Sequence, residues 1–464
     1  MAPKSSSIDR RTFLISALAA GSSGVIFPAL GQSVQVEPRK SIGLVESNPA
    51  ELQLLRDAVQ ILQSKDGATP AADGWEAIAN PHVNNCFTGD SREIHFSWWF
   101  WPWHRAYLVA MERRLQFVVN EPKLRLPYWD WFSTRDIPAA IKSATYQTSA
   151  GLTKPNPLFD ATRAMSAAQR PPPLNTETIT DAVLAGYANE EELLRSANFS
   201  TVGGRTSGSA GSTGIVELGP HNNLHVWIGG RAGNMAQAWS PRDPAFIFHH
   251  CNIDRLWQAW TELNTGGAHT NPTDLAWLDK TFPMPHPSGV GVEIYKIGDL
   301  LNTNALGYKY EQGRMQIAQQ GVPDGPGAGI KLNEQPLDLS SGRARTSLRQ
   351  LSDQDGARIR SLAPTRPGSL QLNGVSLPSS TSSFSVHLLS ESDRNNSDSN
   401  RIGIYTLLNP SGKPMNTNLS IPLPTRIAER VASQQNVEIS VVVDSPERER
   451  LAGFTINEIK LVFE

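Results

Sequence analysis

Seven of the ten histidines in this chain fall into two clusters, His82, His95 and His104 in one, His221, His225, His249 and His250 in the other. Imidazole nitrogens suit copper, zinc, iron and nickel. Three of them on one ion leave a coordination position open for a reactant, as a catalytic metal requires. His221 and His225 are four residues apart, so on a helix both rings leave one face toward a common centre. His95 and His104 are nine apart, which on one straight helix would put them on opposite faces. Pro102 interrupts that segment, so the expectation is that His104 opens a helix and His95 sits on the loop before it. His249 and His250 are adjacent, and neighbouring helical side chains diverge by about 100°, so only one of the pair faces a shared ion. Residue types alone leave the metal open, and His269, His286 and His387 stand apart as ordinary histidines.

The elements that must carry these rings are partly readable. Leu52, Leu55, Val59 and Leu62 recur at helical spacing between Glu51 and Gln63. A second amphipathic run starts near His104, continues through Leu108, Met111, Leu115 and Val118, and stops before Pro122. Asp243-Pro244 pairs an N-cap residue with a first-turn proline and opens a third helix that runs to about Leu263. The stretch from Thr153 to Ala210 reads mainly as loop, with one helical piece near Glu190 to Ser196. Residues 321–368 are rich in Gly, Pro, Arg and Ser with little periodicity and read as a linker. After them come β-type runs from Phe384 to Leu389, Ile402 to Leu408, Val437 to Val443 and Phe454 to Phe463. The expected architecture is mainly α: a helical domain over 32–320, then a small C-terminal all-β domain over 369–464.

Composition narrows the classes of function. With 464 residues and a net charge of −2, the chain has room for a large core but no electrostatic footprint for nucleic acid or a membrane surface. Most of its twelve tryptophans lie between Trp75 and Trp277, which suits an enzyme core or a pocket for flat substrates. Arg10-Arg11 followed by a mild apolar stretch ending at Ala29-Leu30-Gly31 reads as a twin-arginine-type signal over 1–31, implying export to the periplasm or beyond the cell. Gly21, Gly24 and Pro28 make that segment a poor spanning helix. Only two cysteines are present, Cys86 and Cys251, and both sit inside histidine-rich motifs, so local chemistry is expected of them before a disulfide.

The motifs PHVNNC, IHFSWWFWPWHRAYLVAMERRL, PHNNLHVWIGG and SPRDPAFIFHHCNIDRLW resemble the type-3 copper family of tyrosinases, catechol oxidases and haemocyanins, and more narrowly the plant-type polyphenol oxidases. The resemblance covers nearly all of residues 50–310. It implies a four-helix-bundle dicopper domain, with His82, His95 and His104 on one copper and His221, His225 and His250 on the other. His250 is taken over His249 because it lies six residues after Pro244 and four before Asp254, the family's spacing; His249 and Asp254 then support the ligands. Cys86 stands four after His82, where plant enzymes carry a cysteine joined by a thioether to the second ligand, here His95. Glu217 and Asn222 occupy positions where family members hold a water that takes the phenol proton. GNMAQAWSPRDPAF is similar to bacterial tyrosinases and places Gln237 or Ala238 where plant enzymes put a bulky gate phenylalanine. DLLNTNALGYKYE, with Tyr308-x-Tyr310, and the ending FTINEIKLVFE resemble the plant enzymes beyond the core, where a β domain caps the copper site.

The implied activity is oxidation of o-diphenols to o-quinones by molecular oxygen on two copper ions, with o-hydroxylation of monophenols in the family's hydroxylating members. The implied partners are a phenolic small molecule and dioxygen, with no nucleic acid and no membrane, and the resemblance allows a separate copper-loading protein. Two other readings stand beside it: a haemocyanin-like oxygen carrier, and a zinc hydrolase in which Glu217 is the general base. The export signal and the lack of repeated functional units argue against the first. The second leaves the Cys86 offset without a purpose.

Overall fold

Helix α1 (Pro49–Gln63) forms where the apolar spacing predicts it, with Asn48 accepting the Glu51 N–H at 3.3 Å and Pro49 in the first turn. Its Leu52, Leu55, Val59 and Leu62 are buried against α3 (Phe100–Val119). The computed structural model describes residues 36–463 apart from 68–70, 87, 89–91, 207–211, 265–266, 312–327, 348–351, 363–367, 378–381, 391–399, 408–414, 424–426, 428–429, 431–436 and 445–452. The expected signal over 1–31 therefore lies outside the described residues. A short α2 (Asn80–Asn85) carries His82.

Helix α3 starts at Phe100, one turn before the expected start near His104. Pro102 sits in that first turn, where a missing N–H costs nothing, so proline here admits the helix rather than dividing it. Asn120 ends it in the left-handed region, at φ 51°. α4 (Asn222–Gly229) follows a π-helical turn, Glu217–His221, that contains Pro220. α5 (Ala245–Glu262) packs on α3, and Asp243 Oδ1 caps it by accepting the Ala245 N–H at 2.8 Å. Between 153 and 206 the chain is mostly turns, and the helical piece expected near Glu190 is the single turn Glu190–Leu193, joined by another at Phe199–Val202.

The helical region is tied together by a buried charge network. Strand β1 (Glu37–Arg39) lies parallel to β2 (Tyr308–Tyr310), pairing Glu37 with Tyr308 and Arg39 with Tyr310. On α5, Asp254 accepts from the Tyr308 hydroxyl at 2.7 Å, the Tyr310 hydroxyl at 2.5 Å, Arg105 Nε at 2.5 Å and Arg39 Nη1 at 3.3 Å. Arg39 Nε also donates to Glu112 at 2.9 Å. Burial raises the Asp254 pKa, but Arg105, Arg39 and the two hydroxyls outweigh it and hold the carboxyl below the usual range.

The C-terminal part is β as expected, but the segment read as a linker is not one where it is described. Strand β3 (Ala328–Lys331), a pair of strand residues at Leu337–Asp338, β4 (Arg343–Ser347) and helix α6 (Asp353–Leu362) all fall within 321–368. Edge strands this short carry too few residues to show an alternating pattern, which is why composition hid them. With β5 (Gly368–Leu377), β6 (Ser382–Ser390), β7 (Arg401–Leu407), β8 (Met415–Pro422), β9 (Val437–Asp444) and β10 (Thr455–Phe463) they form two sheets. One runs in the order β4-β9-β6-β7. The other runs β8-β5-β10-β3, extended beyond β8 by Ser212–Thr213 from the helical region, which pairs with Asn418 and Leu419. The β residues thus begin earlier than 369, and one sheet borrows a strand from before them. No helix among the described residues is long and apolar enough to cross a membrane.

Candidate metal centre

The folded chain brings the two histidine clusters together. In the first, the His82, His95 and His104 rings lie with centroids 5.1 to 5.7 Å apart, all buried, supplied by α2, the loop before α3 and the first turns of α3. In the second, His221 Nε2 is 3.2 Å and His225 Nε2 is 3.1 Å from His250 Nε2. The clusters adjoin: His104 stacks on His250 at 4.4 Å and His95 on His221 at 5.7 Å. His249 is buried beside them, flat against His221 at 5.4 Å and tilted against Trp131 at 6.1 Å, while His250 turns its Nε2 to the other two.

For three of the rings, backbone carbonyls fix which nitrogen is presented. His82 Nδ1 meets Ala238 O at 2.6 Å, His104 Nδ1 meets Phe100 O at 2.7 Å and His225 Nδ1 meets Met235 O at 2.6 Å. A carbonyl only accepts, so each Nδ1 carries the proton and each Nε2 is left with a lone pair. His221 Nδ1 is held by Asn222 Oδ1 at 2.8 Å. Burial keeps the rings neutral, lowering His82 to about 4 and His225 to about 3 and pushing His95, His104, His221 and His250 well below the ordinary imidazole value.

This donor set fits a metal. The Nε2 atoms of His82 and His104 are buried without a hydrogen-bond partner, a cost that an ion removes. Nitrogens about 2.0 Å from a tetrahedral ion lie about 3.3 Å from one another, close to the spacing at His250. Phe246 stacks on His250 at 4.0 Å and Phe100 packs edge-on to His221 at 4.7 Å, walling the centre with hydrocarbon.

The supporting residues are placed as follows. Glu217, on the π-helical turn, is buried; its Oε1 accepts the Phe96 N–H at 2.7 Å and its Oε2 has no partner. Phe96, next to His95, has φ 57°, so this carboxyl pins a strained backbone that carries a cluster histidine. Burial pushes Glu217 well above the usual carboxylate range, Phe96 N–H opposes the shift, and Glu93 adds to it. Asn222 has both ends engaged, Oδ1 at His221 and Nδ2 donating to Thr406 O of β7 at 2.8 Å. Cys86 and Cys251 are buried and in no disulfide. Gln237 and Ala238 are half-buried, and Trp239 beside them is 39 % exposed, its indole N–H donating to Asn234 at 3.1 Å.

Sequence reasoning did not find the carbonyls of Phe100, Met235 and Ala238, because a backbone acceptor leaves no mark on residue type. It also did not find the hydrocarbon walls, although Phe246 lies four residues before His250 and so shares its helix face.

A helical domain that gathers buried, neutral imidazoles, four of them fixed through Nδ1, is suited to hold a metal. Residues 72–263 match the family model described as the common central domain of tyrosinase. Over 264 residues the chain is 32 % identical to a chloroplastic polyphenol oxidase, latent form, of Prunus armeniaca, covering 50 % of this chain and 40 % of that one. Over 226 residues it is 33 % identical to tyrosinase HcTyr1 of a Hahella strain, covering 47 % of each. These alignments thus span about half the length of the relatives or less. A solved latent aurone synthase (polyphenol oxidase) superposes with a TM-score of 0.68 over 92 % of this chain and 90 % of its own, at 19 % identity, which shows the shared fold. Residues 72–263 thus match the central domain of tyrosinase, and the curated relatives aligned across them are polyphenol oxidases and a tyrosinase.

Proposed function

We propose that the protein is a polyphenol oxidase that uses two copper ions and dioxygen to turn o-diphenols into o-quinones, with o-hydroxylation of monophenols as a second activity. The observation that carries this reading is the convergence of three Nε2 atoms at His221, His225 and His250. In the proposal these hold one copper and His82, His95 and His104 the other, with α1, α3, α4 and α5 as the four-helix bundle around them. Copper bound there would supply the redox couple through which two catechols reduce one dioxygen to two waters.

The chain's own residues do the rest. Neutral imidazoles keep the Nε2 atoms of His82, His104 and His225 available, Phe100 and Phe246 exclude water, and His249 and Asp254 support the ligand helix. A thioether from Cys86 to His95 would fix the one ligand that no helix carries. Glu217, buried with one free oxygen, would hold a water and take the phenol proton through it. Asn222 serves this scheme by setting the His221 ring. Gln237 or Ala238, in place of a bulky phenylalanine, would leave the mouth open to a monophenol, with Trp239 at its edge. Thr406 and Ile404 of β7 accept from Asn222 and Asn223 on α4, which supports a β domain that caps the centre. A leader over 1–31 would export the folded enzyme, with copper loaded alone or by a partner.

The test is oxygen uptake by copper-loaded protein with a catechol and then its monophenol. Uptake with both supports the full proposal, and uptake with the catechol alone removes the hydroxylation. Reversible oxygen binding without uptake would establish an oxygen carrier instead.

A further inference from the structure

Between the helical region and the β4-β9-β6-β7 sheet lies a cleft of about 730 Å³ that none of the seven clustered histidines lines. One wall is the turn segment with Pro172, Pro173 and Asp181; the other is the sheet, with Arg343, His387 and Arg401. The volume is that of a small-molecule pocket. We propose that this cleft binds a small organic anion, a carboxylate on a flat apolar body, at a site separate from the histidine centre.

Charge selects the anion. Arg343 and Arg401 line the cleft with one carboxylate residue, Asp181, which is already paired with Arg135 at 3.0 Å, so recognition of the charge falls to Arg343. Arg343 is exposed and makes no ion pair among the described residues, so its fork is available for bidentate recognition. Polar groups line it too: Ser385, which bonds His387 Nε2 at 2.9 Å, with Asn175 opposite. Shape selects the body. Pro172, Pro173, Ile402 and Val442 give uncharged walls suited to a ring, and Gly403 forms a tight floor. A Cβ there would stand 2.5 Å from Ala185 O and 2.6 Å from the Tyr405 hydroxyl, so β7 is pressed onto the 182–186 turn.

The location gives binding a route to the centre, and this second step rests on the copper reading. Arg401, Ile402 and Gly403 line the cleft, and the next residues of the same strand, Ile404 and Thr406, hold Asn223 and Asn222. Asn222 in turn holds His221. An occupant that parts β7 from the 182–186 turn therefore strains the contact that sets a cluster histidine.

The experiment is calorimetric titration of the metal-free full chain with 1-naphthoate and with its neutral analogue 1-naphthalenemethanol, so that success does not depend on copper activity. Wild type is expected to bind naphthoate at one site, at least tenfold more tightly than the neutral analogue. Arg343→Glu, an exposed position, is expected to weaken naphthoate at least tenfold with an unchanged melting temperature, whereas His221→Ala leaves binding intact. Equal affinity for the neutral analogue overturns the charge recognition. Loss in His221→Ala but not in Arg343→Glu would put the anion among the histidines and overturn the site.

Discussion

At the scale of single residues, the choice between His249 and His250 has a clean readout. On the proposed dicopper centre, His250→Ala is expected to lose one copper in metal analysis and all catechol oxidation, because its Nε2 is the atom both His221 and His225 approach. His249→Ala is expected to keep the copper content. The reverse pattern would mean that the ligand is the other member of the pair. Glu217→Gln keeps an acceptor for the Phe96 N–H but removes the proposed base, so on that proposal monophenol hydroxylation should fall by about 10²-fold or more with copper content unchanged. Proton linkage at these histidines also has a sign. The unfolded chain protonates its histidines near 6.5, whereas folding holds His82 at about 4 and His225 at about 3. The stability of metal-free protein is therefore full above 6.5 and declines as pH falls through that window, because the unfolded state takes up protons the folded state refuses. Thermal melts of metal-free protein between about pH 8 and about pH 5 should show a falling midpoint; a flat profile would contradict the buried, neutral rings.

At the scale of elements, Asp254 joins α5 to α3, β1 and β2. Asp254→Asn leaves Arg39 and Arg105 buried with less than their full countercharge, and is expected to cost about 3–5 kcal/mol in chemical denaturation. Much of this level was legible beforehand. The helical spacing in α1, the i and i+4 pair His221 and His225, and the Asp243 cap are local patterns, and local patterns survive in sequence. The illegible parts have physical reasons. The carbonyls of Ala238, Met235 and Phe100 belong to no residue type. The π-helical turn before α4 has no period of its own, and Pro220 inside it argues against any helix. β3 and β4 are strands only because β10 and β9 lie beside them, so the composition of 321–368 pointed to a linker.

At the scale of the molecule, the β residues are fastened to the helical ones by more than chain connectivity. Ser212–Thr213 pairs with β8, and Asn222 and Asn223 bond to β7. A protease site introduced within 312–327 and then cut should therefore give two fragments that elute together on size exclusion, with oxygen uptake rising only once they are separated. Separation on cutting alone would show that these contacts do not hold the β residues in place.

The pairing of β1 with β2 sets an order of events during synthesis. Arg39 finds Tyr310 across 271 residues of chain, and together they close around Asp254. Such a long-range contact is slow to form and pays its loop entropy late. The helical region thus cannot lock while the ribosome is still short of Tyr310, and a nascent chain stalled before that point should stay open to proteases even with every histidine of both clusters already made.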